Sequence, residues 1–489
     1  MSTETPSRRA AEPTRRAAGP TRRERTRRRR GRAFLGAFAV VVGVLAVIGL
    51  GGAAVTTALG PRVTSTSWDP QAAVSASGSR LIITTTESLQ EVSPDQVTVE
   101  PAADFTVDTS GRSVGVRFAL PMWDDTTYTV TIRDVEGLGG GPAATITETL
   151  ATPALEAYIL RRGDGEDTIF RTDLAGDAAQ PVFTDTHIED FRATGSHLVV
   201  STVDADERSH LVVTRLDGSG RRELPLPGDG LVTNLQSADR GNLVGYTYTD
   251  ETVGQAGARE NELFTASLLD DQADAEPTAV VRDGGDSRVD DWRFVPGTDS
   301  ILMMTFDGAL TLVTPDAVPV ALGLAIAIDG IGRGAAVAIV QRPNGDLVTV
   351  DLATAEERPI PPTDPALGLT QTVLSLPDGS GGSLRVLSRM ADDGFTLLGT
   401  TVNVVGVDGS ARDIFDVPTD AAFVHTCVSP SGRYAAVTIA PDIVDNPYDP
   451  YMLPLPERLQ THIVEIADGH EVVALSGFDL SWCQNAPRL

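Results

Sequence analysis

The sequence predicts an all-β chain: a β-sandwich followed by a β-propeller, with one transmembrane helix ahead of both. Three observations carry this. Short runs that alternate apolar and polar residues with period two recur from Leu81 to Pro153, separated by turn residues. From Leu155 onward an apolar strand, a Gly-containing turn and further apolar strands recur as a loose unit, and helical periodicity is nearly absent. Before either lies a charge-free apolar stretch, Ala33 to Gly60.

The chain has 489 residues, enough for two or three domains, and a formal net charge of -28. Its 39 basic residues are all Arg, and 12 of them fall in residues 1–32 against Glu4, Glu12 and Glu24. That tail therefore carries +9, and subtracting it from -28 leaves -37 for residues 33–489. So sharp an asymmetry assigns the two sides of the boundary different roles. The stretch 33–60 contains only Thr56 and Thr57 as polar exceptions and ends at Pro61. As a helix it would reach roughly 40 Å, sufficient for a hydrocarbon core of about 30 Å with some tilt.

The positive-inside bias places the Arg-rich tail, 1–32, in the cytoplasm and everything beyond residue 60 outside. A nucleic-acid arm is disfavoured, because the first aromatic, Phe34, already belongs to the apolar run. The run is longer than the apolar region of a cleaved signal, so an uncleaved anchor is expected, although Thr56-Thr57-Ala58 resembles a poor cleavage site. Either way the later domains are exported.

Residues 61–76 read as a polar stalk. The sandwich is assigned to 77–153, with strands at 81–86, 96–101, 113–118, 128–135 and 146–153. The order RLIITTTESLQEVSPDQVTVEP, VGVRFALPMWDDTTYTVTI, ITETLATP resembles the bacterial Ig-like domain of the SbsA type. That resemblance implies a spacer or adhesive module. Tyr128 would then pin a strand corner through its hydroxyl, or else be an ordinary strand aromatic.

The propeller is assigned to 154–489, with first strands starting near 189, 234, 292, 328, 371 and 423. A blade takes about 40–50 residues, and the longer steps contain insertions. A seventh blade is shared between the ends: FDLSWC (478–483) reads as an inner strand, and 155–173 as the outer strands it lacks. Six or eight blades are also open. Phe423-Val-His-Thr-Cys-Val-Ser-Pro-Ser-Gly-Arg-Tyr resembles the repeat of TolB-like and WD-repeat-like propellers, with Ser431 where the family has Asp.

Cys427 and Cys483 are the only cysteines. Each lies five or six residues into an inner strand of adjoining blades, which predicts a disulfide; two buried thiols are the alternative. No metal site and no cofactor are expected. The six His are scattered, and the acidic turn GDGED (163–167) lacks EF-hand spacing and reads as a hairpin. No catalytic residue is assigned, since neither a serine-hydrolase elbow nor a phosphate loop is present.

One stretch stands out as a binding loop. Asp445 to Arg458 is stiff and apolar, with Tyr448, Tyr451, Met452 and Arg458 as its candidate contact residues, unless it folds back on its own blade. The expected function is therefore a membrane-anchored, extracytoplasmic, non-catalytic interaction platform of a bacterial cell envelope. Its partners would be the membrane, through 33–60, and an envelope protein or cell-wall ligand, with no nucleic acid. A propeller hydrolase or lyase with its site at the channel mouth is the alternative.

Overall fold

A computed structural model describes residues 38, 40–47 and 60–487, apart from 164, 175, 177–178, 240–241, 283 and 378–379. The Arg-rich tail and most of 33–60 lie outside the described residues. Within that stretch Phe38 and residues 40–47 are helical with their side chains exposed. Among the described residues no helix is long and apolar enough to cross a membrane.

Two sheets build the first domain, one in the order β1(Val63–Ser67), β2(Arg80–Thr85), β5(Ser113–Phe118), β4(Phe105–Ser110), the other β3(Val97–Glu100), β6(Thr127–Val135), β7(Ala144–Ala151). Alternation puts Leu81 and Ile83, Val114, Val116 and Phe118, and Val130 and Ile132 into one shared core. The stalk expectation is corrected. Residues 63–67 are the edge strand of the first sheet, and Pro70–Ser75 form a short helix capped by Asp69, whose Oδ1 accepts from the Gln71 and Ala72 amides at 3.1 Å. Tyr128 pins the corner: its hydroxyl accepts from the Trp123 amide at 2.9 Å while its ring is buried.

The remaining strands form seven blades around an axis. Six are four-stranded meanders: β11–β14, β15–β18, β19–β22, β23–β26, β27–β30 and β31–β34, running from Ile188 to Ser476. The first blade in the chain has only β8(Glu156–Arg161), β9(Asp167–Asp173) and β10(Gln180–Asp185) of its own. Residues 478–481 supply its inner strand. Leu160 and Phe478 exchange both backbone hydrogen bonds (3.0 and 2.9 Å), and the Ser481 amide donates to Tyr158 O at 2.9 Å. Pairing the two ends of the ring in this way removes the open sheet edges it would otherwise have.

Cores form between neighbouring blades. Val199, Leu211 and Val213 of the second blade, for example, meet Tyr246, Tyr248 and Phe264 of the third. The inner strands share a further feature. In all six of the complete meanders the pairing of inner with second strand slips once, near the start in five, as at Ile188/Asp190, Val289/Asp291 and Ile328/Gly330, and at Thr233/Gln236 in the other. Each bulge leaves one residue of the inner strand without a ladder partner and bends the strand locally.

The sandwich rests on the face formed by the turns after the inner strands. Arg433, in the turn after β31, donates from Nη1 to Asp124 O (2.9 Å) and Asp124 Oδ1 (3.2 Å), and its guanidinium lies 5.6 Å from the Trp123 ring centroid. The other face, the channel mouth, points away from the sandwich.

Candidate functional site

The loop between β32(Tyr434–Ala440) and β33(Gln460–Glu465) lies across the channel mouth. It braces itself first. Asn446 Nδ2 donates to Pro441 O and Arg458 O (3.0 and 2.8 Å), the Arg458 amide returns to Asn446 Oδ1 at 2.9 Å, and Asp449 Oδ1 accepts from the Leu455 amide at 3.0 Å. It is then fastened to the blades next door. Tyr451 donates its hydroxyl to Asp167 Oδ2 at 2.6 Å and lies under the Arg162 guanidinium, 3.7 Å from its ring centroid. Burial and the Asp167 carboxylate push the Tyr451 phenol above its ordinary range, keeping it a neutral donor. The Met452 amide donates to Glu189 Oε1 (3.0 Å), and Arg162 Nη1 holds Asp449 Oδ2 at 2.7 Å.

The four candidate contact residues therefore divide. Tyr451 and Met452 are anchors, and Arg458 closes the loop by donating from Nη2 to Asp445 O at 2.7 Å. Only Tyr448 presents its ring outward, with Leu453 as a second exposed apolar residue. The fold-back reading is thus the better description of most of this loop. Of the acidic turn, Asp164 lies outside the described residues; Asp167 opens β9 and also accepts from the buried Ile188 amide at 2.8 Å.

Beside the loop is a cavity of about 550 Å³, lined by Tyr448 and Leu453 of the loop, by Thr233, Asn234, Asp290 and Phe306 of the blades, and by Pro487. Asn234 sits at the bulge of β15(Gly230–Ser237) with φ +52°, and Asn261, also on the wall, has φ +48°. Left-handed backbone costs Asn less than most residues, and such positions concentrate where binding is done.

Deeper in, the inner strands are tied to one another by charged side chains. Arg192, 1 % exposed, donates from Nε to Leu235 O (2.7 Å) and from Nη1 to both Asp479 oxygens (2.8 and 3.0 Å), while its Nη2 lies 2.9 Å from Asp190 Oδ1. It thereby links the inner strands of three consecutive blades. Burial pushes the Asp190 carboxyl well above its ordinary range, against the pull of Arg192. Arg293 repeats the motif, donating to Ile328 O at 3.2 Å. The Asp-x-Arg spacing of 190/192 and 291/293 puts both groups on one strand face, a signal that was available in the sequence.

A second cavity, of about 260 Å³, lies within the channel beside Arg293, Asp329, Arg333 and His425. Burial raises Asp329 to about 6, opposed by the Val373 amide and Arg293. Gln484 and Asn485 enter this cavity and Pro487 reaches the mouth, so the chain after Cys483 turns back through the channel. The predicted disulfide is present: Cys427, on β31(Ala422–Val428), is bonded to Cys483, with Cα atoms 5.5 Å apart. Among the described residues no three His, Cys, Asp or Glu side chains are grouped so as to hold a metal ion. The mouth instead collects amides, hydroxyls, one carboxylate and two aromatic rings, a set suited to hydrogen bonding and stacking.

No family model matches the chain, and no curated protein does. Solved structures similar to it include the Cps50 (Swd1) β-propeller domain of Myceliophteria thermophila, at 15 % identity over 60 % of this chain and 87 % of that one, TM-score 0.38. A TolB from Agrobacterium tumefaciens has 12 % identity over 66 % and 90 %, TM-score 0.33. An oligogalacturonate lyase in complex with manganese has 12 % identity over 79 % and 95 %, TM-score 0.42. The neighbours thus include a TolB and an enzyme alike, and the likeness extends no further than the β-propeller architecture already given by the order of the sheets.

Proposed function

We propose that this chain is a membrane-anchored, extracytoplasmic binding protein of a bacterial cell envelope. An Ig-like spacer, in this reading, holds a non-catalytic propeller with its mouth turned outward. The observation that carries it is the opposition of two faces. The sandwich attaches on the turn face through Arg433 and Asp124. The exposed rings and aliphatic side chains of Phe306, Phe395, Val444 and Tyr448 belong to loops of the other face. Phe306 and Tyr448 line one cavity there, and exposed apolar groups around a cavity favour a place of contact. The charge step at residues 32–33 and a disulfide suited to an oxidising compartment support the anchor and the location.

Paired reporters fused after Leu489 test this. Alkaline phosphatase, which needs an oxidising compartment, should be active in cells, and green fluorescent protein should stay dark. A fluorescent fusion with an inactive phosphatase would place the propeller inside and end this reading.

A further inference from the structure

We propose that the propeller channel is a peptide site, taking a short uncharged segment of a partner protein, and that residues 484–487 of this chain occupy it until such a segment displaces them. This rests on the reading of the propeller as a binding module, and it names the class of partner that module would take.

The argument begins at Cys483. Its disulfide ties this point of the chain to Cys427 in the channel wall, and the residues that follow run into the channel. Gln484 and Asn485 line the channel cavity together with Arg293, Asp329 and Trp482. Ala486 and Pro487 line a space of only about 20 Å³ against Arg162, Asn234 and Leu455, toward the mouth. The passage thus already holds a piece of polypeptide, and that piece carries no charge.

The resident segment has the composition the path demands. Beside Ala486 there is no room for a larger side chain. Pro487 is buried, and it brings no amide hydrogen that would need a partner there. The cations along the path are engaged by carboxylates of the protein: Arg162 with Asp449 at 2.7 Å, Arg293 with Asp291 at 2.5 Å and Arg333 with Asp239 at 2.7 Å. A segment without charge leaves those pairs undisturbed.

The hold on the segment is weak. Among the described residues, its one hydrogen bond runs within the segment itself, from Asn485 Nδ2 to Ala486 O at 3.4 Å. Meanwhile two buried donors have no protein partner: Trp482 Nε1 in the wall of the cavity that Gln484 enters, and Asn234 Nδ2 in the wall that Pro487 reaches. These residues are 8 % and 9 % exposed. Gln236 decides which end of Asn234 is left over. Its Nε2 donates to the Trp292 carbonyl at 2.6 Å and to Asn234 Oδ1 at 3.1 Å, so the Asn234 amino group remains. Each unpaired buried donor costs about 1–3 kcal/mol, and a peptide offers a carbonyl acceptor at every residue. The resident segment is tethered at Cys483 and cannot slide to present its carbonyls. A segment arriving in trans can.

The test is saturation-transfer NMR with an acetylated, amidated peptide of residues 484–487, titrated into the purified full-length chain and into the same chain ended after Cys483. The disulfide, the Leu160–Phe478 pairing and the Ser481 contact all precede the cut, so the shortened chain should melt within about 3 °C of the full one. It should bind the peptide at least about tenfold more tightly than the full chain, where the tethered segment competes at an effective concentration of about 1 mM. Ala486→Trp opens the channel without shortening the chain, because an indole cannot enter the space of about 20 Å³. This variant should bind the peptide as the shortened chain does, and a peptide carrying the same change should bind neither. Asn234→Asp tolerates the left-handed backbone but removes the donor, and should weaken binding to the shortened chain about tenfold. No binding to either opened chain, equal binding to the unaltered chain, or unchanged affinity in Asn234→Asp would each overturn the proposal. A fusion reporter showing the propeller inside the cell would remove the location reading and leave this titration unchanged.

Discussion

Asp329 gives the sharpest test of the channel's electrostatics. Its carboxyl lies in the channel cavity, where burial raises it from 3.8 to about 6, and its Oδ1 accepts from the Val373 amide of the next inner strand at 3.4 Å. The unfolded chain loses this proton near pH 4, while the folded protein keeps it to about pH 6. Stability from this group is therefore greatest below pH 4, falls as pH rises through the window between the two values, and stays flat above it. The interval, at about 1.4 kcal/mol per tenfold change in proton affinity, corresponds to about 3 kcal/mol. Because the side chain keeps some contact with the channel solvent, that figure is an upper bound.

Asp329→Asn removes the charge and retains the oxygen that meets Val373. The variant should match the wild type at pH 4 and exceed it at pH 7 by up to about 3 kcal/mol, a rise of about 1 M in urea midpoint at a slope of about 3 kcal/mol per M. Urea unfolding followed by circular dichroism at the two pH values decides the matter. A difference that does not change with pH, or a variant weaker at pH 7, would refute the burial argument.

Replacing Cys427 and Cys483 together by Ser releases a 56-residue closure and should cost about 4 kcal/mol in the chain-entropy model, read as a lower melting temperature that reductant no longer shifts. Arg192→Met leaves Asp190 and Asp479 buried without their cation; a loss of about 3–5 kcal/mol is expected from chemical denaturation, and a loss under 1 would show that the ion pairs do not join the blades. Tyr128→Phe keeps the ring but frees the Trp123 amide. It should cost about 1 kcal/mol and speed hydrogen exchange at Trp123, while exchange in the propeller stays the same.

Much of the architecture was legible because inner strands are bounded by turns and most of them carry buried apolar residues. The starts read at 189, 234, 292, 328, 371 and 423 fall within four residues of Ile188, Gly230, Val289, Ala327, Leu369 and Ala422. The disulfide was legible in part: Cys427 sits on one inner strand, while Cys483 lies in the turn just past the inner segment of the adjoining blade, close enough to leave it little choice of partner. Strand β1 was not, since VTSTS is exposed at all five positions and carries no alternation to detect. Nor could sequence orient the mouth loop. Tyr451 turns inward because Asp167, 284 residues earlier, accepts its hydroxyl, and Met452 is fixed by Glu189. The unpaired Asn234 donor needs Gln236 and Trp292 together to define it, a relation among three side and main-chain groups that no pattern encodes.

The shared blade sets a clock on biogenesis. Tyr158 waits for Ser481, 323 residues later, before its sheet is finished. At a synthesis rate of about 5–20 residues per second that delay is about 16 to 65 s, during which the nascent ring has two raw borders. Those borders are adhesive, so a holding factor, or passage through a pore too narrow for folded sheets, would protect the chain until its final strand arrives.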